Sequence, residues 1–167
     1  ARVLSRVRAA SGSGLPLEVH ADENKFKLLF LDVGLMQHAC GLDSQIAVAD
    51  DFLSIRAGAV AEQWVGQEML AVGDPYEERK LYFWARESRN SQAEVDYLAA
   101  SEGRVLPVEV KAGKTGRLKS LKLFMAEYGC PLGVRISHQP LSYFDQVLSV
   151  PLYAVSQMPR WIREAAR

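Results

Sequence analysis

The chain has 167 residues, enough for one well-cored domain with short appendages and too few for two full domains. Hydrophobic residues make up 49% of it and charged residues 24%, which is typical of a globular domain. Its 20 basic residues balance its 20 acidic residues, which disfavours nucleic-acid binding by a uniformly basic surface but leaves room for a local basic patch. No apolar run approaches the roughly 20 residues that cross a bilayer, and no signal-peptide pattern is present. These features predict a cytoplasmic protein that makes no contact with membranes.

The beginning of the chain predicts a lead-in rather than a core element. Residues 2–8 are mostly basic or small, and glycine, serine and proline are dense over residues 11–17, a composition that marks a loop. Because the pattern starts without an initiator methionine, we expect residues 1–24 to be a linker from a preceding region. We expect the main domain over residues 25–158 and a separate C-terminal helix over residues 159–167.

Hydrophobic periodicity predicts the elements in chain order. Apolar residues with a period of two indicate strands, and apolar residues three and four apart indicate helices. The predicted elements are a strand at 25–31, a helix at 33–40 capped by Asp32, a helix at 51–72, strands at 80–86, 93–100 and 104–111, a helix at 118–128, strands at 132–137 and 150–155, and a helix at 159–167. The order helix, three strands, helix, strand in the middle of this series predicts an α/β fold with a mixed sheet.

The run from Pro107 to Lys111 carries the strongest chemical signal in the sequence. Side chains alternate across a strand, so Glu109 and Lys111 share one face while the valines between them face the core. The same alternation predicts two faces for the preceding strand: Glu94, Asp96 and Leu98 on one, Val95 and Tyr97 on the other. If the two strands pair as a hairpin, Asp96 lies close to Glu109.

Two adjacent carboxylates repel each other and are tolerated when a cation lies between them. Mg²⁺ is the expected ion, since it binds oxygen ligands and is usually held by one or two carboxylates. The predicted ligands are Asp96 and Glu109, with Glu62 on the sheet-facing side of the 51–72 helix as a further one. Lys111 would hold the attacking water or offset charge on a phosphate. An alternative stays open here, because a Glu-x-Lys pair on a strand is often a solvated ion pair.

The ordered set of motifs resembles the PD-(D/E)xK, restriction-endonuclease-like nuclease superfamily. More narrowly, it resembles the C-terminal domain of unknown function found on many bacterial and archaeal P-loop (AAA-type) ATPases. The matching stretches are residues 27–35, 58–62, 81–86, 94–97, 106–113 and 120–124. One departure is at Ala85, which separates Trp84 from Arg86 where the family has a tryptophan followed directly by arginine. The facing of Arg86 is therefore open.

The resemblance implies a restriction-endonuclease-like mixed sheet with an α-β-β-β-α-β core and flanking helices. It places Glu62, Asp96, Glu109 and Lys111 on the superfamily's helix Glu, strand Asp and E-x-K positions. It also implies Mg²⁺ as the cofactor, DNA or RNA as the substrate, and a P-loop ATPase region with a winged-helix segment preceding this piece in the same polypeptide. No nucleotide site is expected in the chain itself, because the phosphate-loop motif needs a glycine where this sequence has Val108.

Basic residues near the start of the 118–128 helix are candidates for binding nucleic-acid phosphates: Lys114, Arg117, Lys119 and Lys122. The alternative is a solvated helix face. Two functions are consistent with the whole sequence. The first is Mg²⁺-dependent phosphodiester hydrolysis, and the second is a catalytically silent regulatory or interaction module that serves the attached ATPase, because a fold does not determine a function.

Overall fold

The computed structural model describes residues 3–41, 50–72, 76–88, 91–113 and 117–165. Their strands and helices are β1 (Leu4–Ala10), β2 (Ala21–Phe30), α1 (Val33–Ala39), α2 (Asp50–Ala71), β3 (Tyr82–Ser88), β4 (Ser91–Ser101), β5 (Arg104–Lys111), α3 (Lys119–Tyr128), β6 (Gly133–Ser137), β7 (Ser142–Phe144), β8 (Val147–Pro151) and α4 (Met158–Ala165). These strands form one eight-stranded mixed sheet in the order β2-β1-β3-β4-β5-β6-β8-β7. None of the helices in the described part of the chain is long and apolar enough to span a membrane.

The predicted α/β class and core order are confirmed, because α2, β3, β4, β5, α3 and β6 follow one another as helix, three strands, helix and strand. The pairs β3–β4 and β4–β5 are antiparallel, whereas β5–β6 is parallel. Two local signals are confirmed as well. The Asp32 side chain caps α1 by accepting a hydrogen bond from the Leu35 amide at 3.1 Å, and Gly129 ends α3 in a left-handed conformation with a φ of 64°.

The beginning of the chain differs from its prediction. The segment Leu4–Ala10, which was predicted to be part of a lead-in outside the core, is strand β1, which lies inside the sheet between β2 and β3. The prediction fails because the arginines of this segment alternate with small apolar residues, so that one strand face is buried, with Val7 only 2% exposed. On the opposite face the Arg6 guanidinium lies 4.6 Å from the centre of the Phe26 ring. The division of the chain into a lead-in, a main domain and a C-terminal helix stays a prediction.

The strand predicted at residues 150–155 is wrong in position. The strand β8 ends at Pro151, and the chain continues as a 3-10 helix over Leu152–Gln157. Proline has no amide hydrogen for the strand ladder, and Ala154 and Val155 are buried in the 3-10 segment. A short apolar run does not by itself distinguish strand from helix. The prediction also lacks β7, whose side chains are all exposed.

Two apolar cores lie on opposite faces of the sheet. The α2-side core contains buried residues of α2 and of the central strands, among them Leu29, Val65, Met69, Phe83, Tyr97, Val108, Val110, Val134 and Ile136. The α3-side core contains buried residues of α3 and of the neighbouring strands, among them Tyr82, Trp84, Val95, Leu98, Val105, Leu121, Phe124 and Met125. The strands between the two helices are therefore buried on both faces.

The helix α2 lies close to the sheet because a glycine faces it. A Cβ atom on Gly66 would lie 2.4 Å from the Tyr97 hydroxyl oxygen and 2.8 Å from a Leu29 methyl group. That hydroxyl donates a hydrogen bond to the Glu62 carbonyl oxygen at 2.7 Å. The contact ties the middle of α2 to β4 one residue away from Asp96.

Two glutamines of α2 form hydrogen bonds with backbone groups at the outer edge of β2, the terminal strand of the described sheet. The Gln63 amide nitrogen donates to the Leu28 carbonyl at 2.7 Å, and its amide oxygen accepts from the Phe30 N–H at 3.0 Å. Gln67 donates to the Phe30 carbonyl at 3.0 Å. These side chains occupy the groups that another strand would use, which protects this edge from pairing with a second chain. They also hold α2 in register with β2.

Candidate functional site

The sheet divides between β4 and β5. These two strands pair from Ser101 and Arg104 at the hairpin turn as far as Tyr97 and Val108. Beyond that point β4 continues in contact with β3, and β5 continues in contact with β6. We call the open part, formed by residues 91–96 of β4 and 109–111 of β5, the fork. Polar groups in the fork replace the missing ladder.

A bulge in β4 lies at the mouth of the fork. Against β3, Leu98 pairs with Tyr82 but Val95 pairs with Trp84, so β4 contains one extra residue between these pairs. Val95 and Leu98 consequently pack in the α3-side core, whereas Tyr97 packs in the α2-side core. The predicted alternation, with Val95 and Tyr97 on one face, is therefore wrong. A single-strand pattern cannot reveal a bulge that arises from pairing with a neighbour.

Asp96 bridges the two arms of the fork. Its Oδ2 atom accepts a hydrogen bond from the Val110 amide at 2.7 Å, which takes the place of the β4–β5 ladder at this position. Burial, together with the nearby carboxylates of Glu109 and Glu62, raises the pKa of Asp96 to about 7, against the opposing effects of the Val110 hydrogen bond and Lys27. Near neutral pH this carboxyl group therefore exists in both protonation states.

Glu109 and Lys111 lie on the other arm of the fork, and the valines that alternate with Glu109, Val108 and Val110, face the α2-side core as predicted. Glu109 is 4% exposed, and its Oε1 atom lies 2.5 Å from the Lys111 ammonium. Burial raises the pKa of Glu109, while Lys111 opposes that shift. The second carboxylate oxygen, Oε2, is buried and has no hydrogen-bond partner among the described residues. A buried carboxylate oxygen without a partner is energetically costly, so this atom is free to bind a further donor or a cation.

Glu62 comes to the fork from α2, but its carboxylate is paired. The Lys27 ammonium of β2 lies 2.8 Å from Glu62 Oε1, contacts Glu94, and is 4.9 Å from the centre of the Phe83 ring. Burial alone lowers the pKa of Lys27, but the Glu62 and Glu94 carboxylates together hold it above its ordinary value. Lys27 is thus a cation that two carboxylates, those of Glu62 and Glu94, hold next to the fork.

Sequence reasoning did not assign Lys27 or Glu94 to the site. Lys27 lies on a distant strand whose pairing brings it near α2, and no local spacing relates it to Asp96. The available signal was a lysine between the apolar neighbours Phe26 and Leu28 in a strand with a buried face. A charged side chain on such a face needs a partner of opposite charge.

Three of the four basic residues predicted near α3 lie within the described part of the chain. Lys114 lies outside the described residues. Lys122 is engaged, since its ammonium contacts the Asp145 backbone carbonyl and lies 2.7 Å from the Asp145 carboxylate. Arg117 and Lys119 are exposed at the start of α3. Their role in binding phosphates stays a prediction.

The structure shows on which face of β3 Arg86 lies. The departure from the family pattern at Ala85 had left this open. Trp84 is buried in the α3-side core and Ala85 packs against the α2-side core, so Arg86 shares the face of Trp84. A guanidinium nitrogen of Arg86 lies 3.9 Å from Glu127 of α3. Arg86 is therefore directed toward α3.

The donor set fits a divalent cation only in part. Across the described ranges, no group of three or more His, Cys, Asp or Glu side chains has an arrangement that could hold a metal ion. Mg²⁺ needs one or two carboxylates, since water fills its other positions. Asp96 and Glu109 offer two carboxylates, and the Oε2 atom of Glu109 has no hydrogen-bond partner among the described residues. The Oε1 atom of Glu62 is paired with Lys27, so Lys27 would compete with a cation for this carboxylate.

One protein-family model matches the chain. A family model described as "Domain of unknown function (DUF4143)" matches residues 57–153, which is more than half of the chain and runs from within α2 to two residues after β8. The chain therefore belongs to the DUF4143 family. No curated protein and no solved structure matches it. The family match begins after β1 and β2, so Lys27 lies outside the matched range.

Proposed function

We propose that this chain is a metal-dependent nuclease domain that hydrolyses phosphodiester bonds and is attached to a P-loop ATPase region of the same polypeptide. The observation that supports it best is the buried, unpartnered Oε2 of Glu109 in a fork that also holds Asp96 and Lys111. The resemblance to PD-(D/E)xK nucleases supplies the reaction type. The attachment to an ATPase rests on that resemblance alone.

Each residue of the fork has a distinct proposed role. Asp96 and Glu109 would hold Mg²⁺, which, when bound, supplies charge neutralisation and Lewis-acid polarisation of a phosphate oxygen. Lys111, 2.5 Å from Glu109, holds the attacking water by hydrogen bonding and offsets negative charge on the phosphate in the transition state. Glu62 acts as a positioning residue, because its ion pair with Lys27 keeps that ammonium within electrostatic reach of Asp96 and Glu109.

A nuclease assay on matched lysine variants tests the proposal. We expect the unaltered protein to cut DNA or RNA in the presence of Mg²⁺ or Mn²⁺, and Lys111→Ala to lower the cleavage rate by about 100-fold or more. Lys80→Ala is the matched control, since Lys80 also lies 2.5 Å from a glutamate, Glu18, but away from the fork. The control should cut at the unaltered rate.

Folding and metal binding separate a loss of chemistry from a loss of structure. Lys111→Ala should still unfold in one cooperative thermal transition, at a temperature lowered by the loss of the Glu109 partner, and should keep its calorimetric titration with Mn²⁺. The proposal fails if the unaltered protein cuts no linear, circular, single-stranded or double-stranded DNA or RNA with either metal ion.

A second function has one observation in its favour. Lys27 pairs with Glu62 and Glu94, and Lys111 pairs with Glu109, so much of the carboxylate charge is already neutralised within the chain. A silent regulatory or interaction module of the ATPase would need no metal ion. Titration with Mn²⁺ distinguishes the two: binding that disappears in Asp96→Asn supports the nuclease, and an absence of binding heat supports the module.

A further inference from the structure

Arg135 lies beside Glu109 in the sheet. In the parallel pairing of β5 with β6, the Cα partner of Glu109 is Arg135. On β6 the residues flanking it, Val134 and Ile136, are both 0% exposed and belong to the α2-side core, so Arg135 is on the opposite face. Glu109 alternates in the same way against its flanking valines. The two residues of opposite charge are therefore lateral neighbours on one face of adjacent strands.

Neither side chain uses the other to satisfy its buried atoms. The Nε atom of Arg135 is buried and has no hydrogen-bond partner among the described residues, and the same is true of Glu109 Oε2. The partner of the other Glu109 oxygen is Lys111, not Arg135. A purely structural ion pair would leave neither atom unpaired, because an unmade buried hydrogen bond destabilises the folded state. The two residues are neighbours on adjacent strands, so Arg135 has an unused donor available to an anionic ligand that reaches this face of the sheet.

We propose that Arg135 binds one phosphodiester group of a nucleic-acid strand next to Glu109. The inference rests on the proposed nuclease function, since that function brings a phosphate to the fork. A guanidinium suits this ligand, because its planar set of donors matches two phosphate oxygens at once. Arg135 as a whole is half-buried, so a phosphate contact with its guanidinium would form where less water competes than on the open surface. Arg135 is a substrate-binding residue that lies outside the E-x-K motif.

The test measures binding without cleavage. Fluorescence anisotropy with labelled DNA and RNA oligonucleotides of the same sequence, in EDTA, gives the affinity and its dependence on salt concentration. We expect Arg135→Gln to bind about tenfold more weakly. We also expect its log–log salt slope to fall in magnitude by about 0.7 to 1, as for the loss of one phosphate contact. Arg135→Lys should restore the slope while recovering only part of the affinity. Tighter binding of one of the two oligonucleotides shows whether the site prefers DNA or RNA.

The matched control is Arg104→Gln, an exposed arginine at the other end of β5, which should leave the affinity and the slope unchanged. Arg135→Met, which keeps the aliphatic stem, is a second variant should Arg135→Gln fail to fold. An unchanged salt slope in the Arg135 variants, unfolding of both, or no binding by the unaltered protein at low salt would overturn the inference. A different outcome separates the two proposals. If oligonucleotide binding weakens in the Arg135 variants but the unaltered protein neither cuts nucleic acid nor binds Mn²⁺, the nuclease proposal is refuted and the phosphate site at Arg135 remains.

Discussion

The two ends of the β4–β5 hairpin differ in what holds them. At the closed end the strands are fully paired, a two-residue turn with positive φ at Glu102 and Gly103 joins them, and the buried side chains are apolar, with Leu98 at 0% exposure. At the fork the ladder is absent, and Asp96 and Glu109 are in contact with amide and ammonium groups instead. The same two strands thus form a hydrophobic frame at one end and a charged site at the other.

This difference shows which end of the hairpin stabilises the fold and which end destabilises it. Burying apolar area at the closed end stabilises the fold, whereas burying carboxylates at the fork opposes it, as the raised pKa values of Asp96 and Glu109 indicate. Perturbed carboxylates of this kind concentrate at functional sites. We therefore expect substitutions at the closed end to reduce stability, and substitutions that remove charge at the fork to reduce binding or activity while preserving the fold.

The largest expected effect on stability is at the closed end. Leu98→Ala removes a fully buried side chain from the α3-side core and should lower the free energy of unfolding by about 3 kcal/mol, within the usual range for a buried leucine. Urea denaturation followed by circular dichroism measures it. A loss below about 1 kcal/mol would show that the closed end is not the rigid part of the hairpin.

The next effect is a dependence of stability on pH at the fork. The folded-state pKa of Asp96 is raised to about 7 from an ordinary value of 3.8. The contribution of protonated Asp96 to folding stability is therefore fully present at a pH below its ordinary pKa. It is lost as pH rises through the pKa of the folded state. Between pH 5 and pH 7 the unaltered protein should lose about 2 kcal/mol of stability that Asp96→Asn does not lose, since the amide does not titrate.

Denaturation of both proteins across that pH range makes the comparison. Asn at this position still offers an oxygen to the Val110 amide, so the hydrogen bond at the fork is retained in the control. Parallel curves for the two proteins would mean that Asp96 is ionised throughout the range, and the fork would then resemble an ordinary surface site.

The smallest effect compares two lysine–glutamate contacts. Lys27→Met keeps the aliphatic stem near Phe83 but leaves Glu62 and Glu94 without their shared cation, and should lower stability by about 1 kcal/mol at pH 7. Lys80→Met removes an exposed ion pair with Glu18 and should have no measurable effect. Equal behaviour of the two variants would place Lys27 among ordinary surface residues.

Much of the site followed from local pattern. The placement of Glu109 and Lys111 on one strand face, away from valines, depends only on the period of two in a strand. The order of α2, the three strands and α3 depended on runs of apolar residues and on stop signals such as Gly129, which adopts a positive φ that other residues avoid. The α/β class was predictable for the same reason.

What the sequence determined by itself was therefore periodicity, caps and stops, since each is set by residues within one or two turns or strand repeats of each other. The tertiary structure alone decided that β1 belongs to the sheet, that a bulge turns Val95 away from Tyr97, that Lys27 pairs with Glu62, and that Arg135 lies beside Glu109. Each of these is a pairing between distant strands or helices. Strand register and the partners of buried charges depend on such long-range contacts, and no local pattern encodes them.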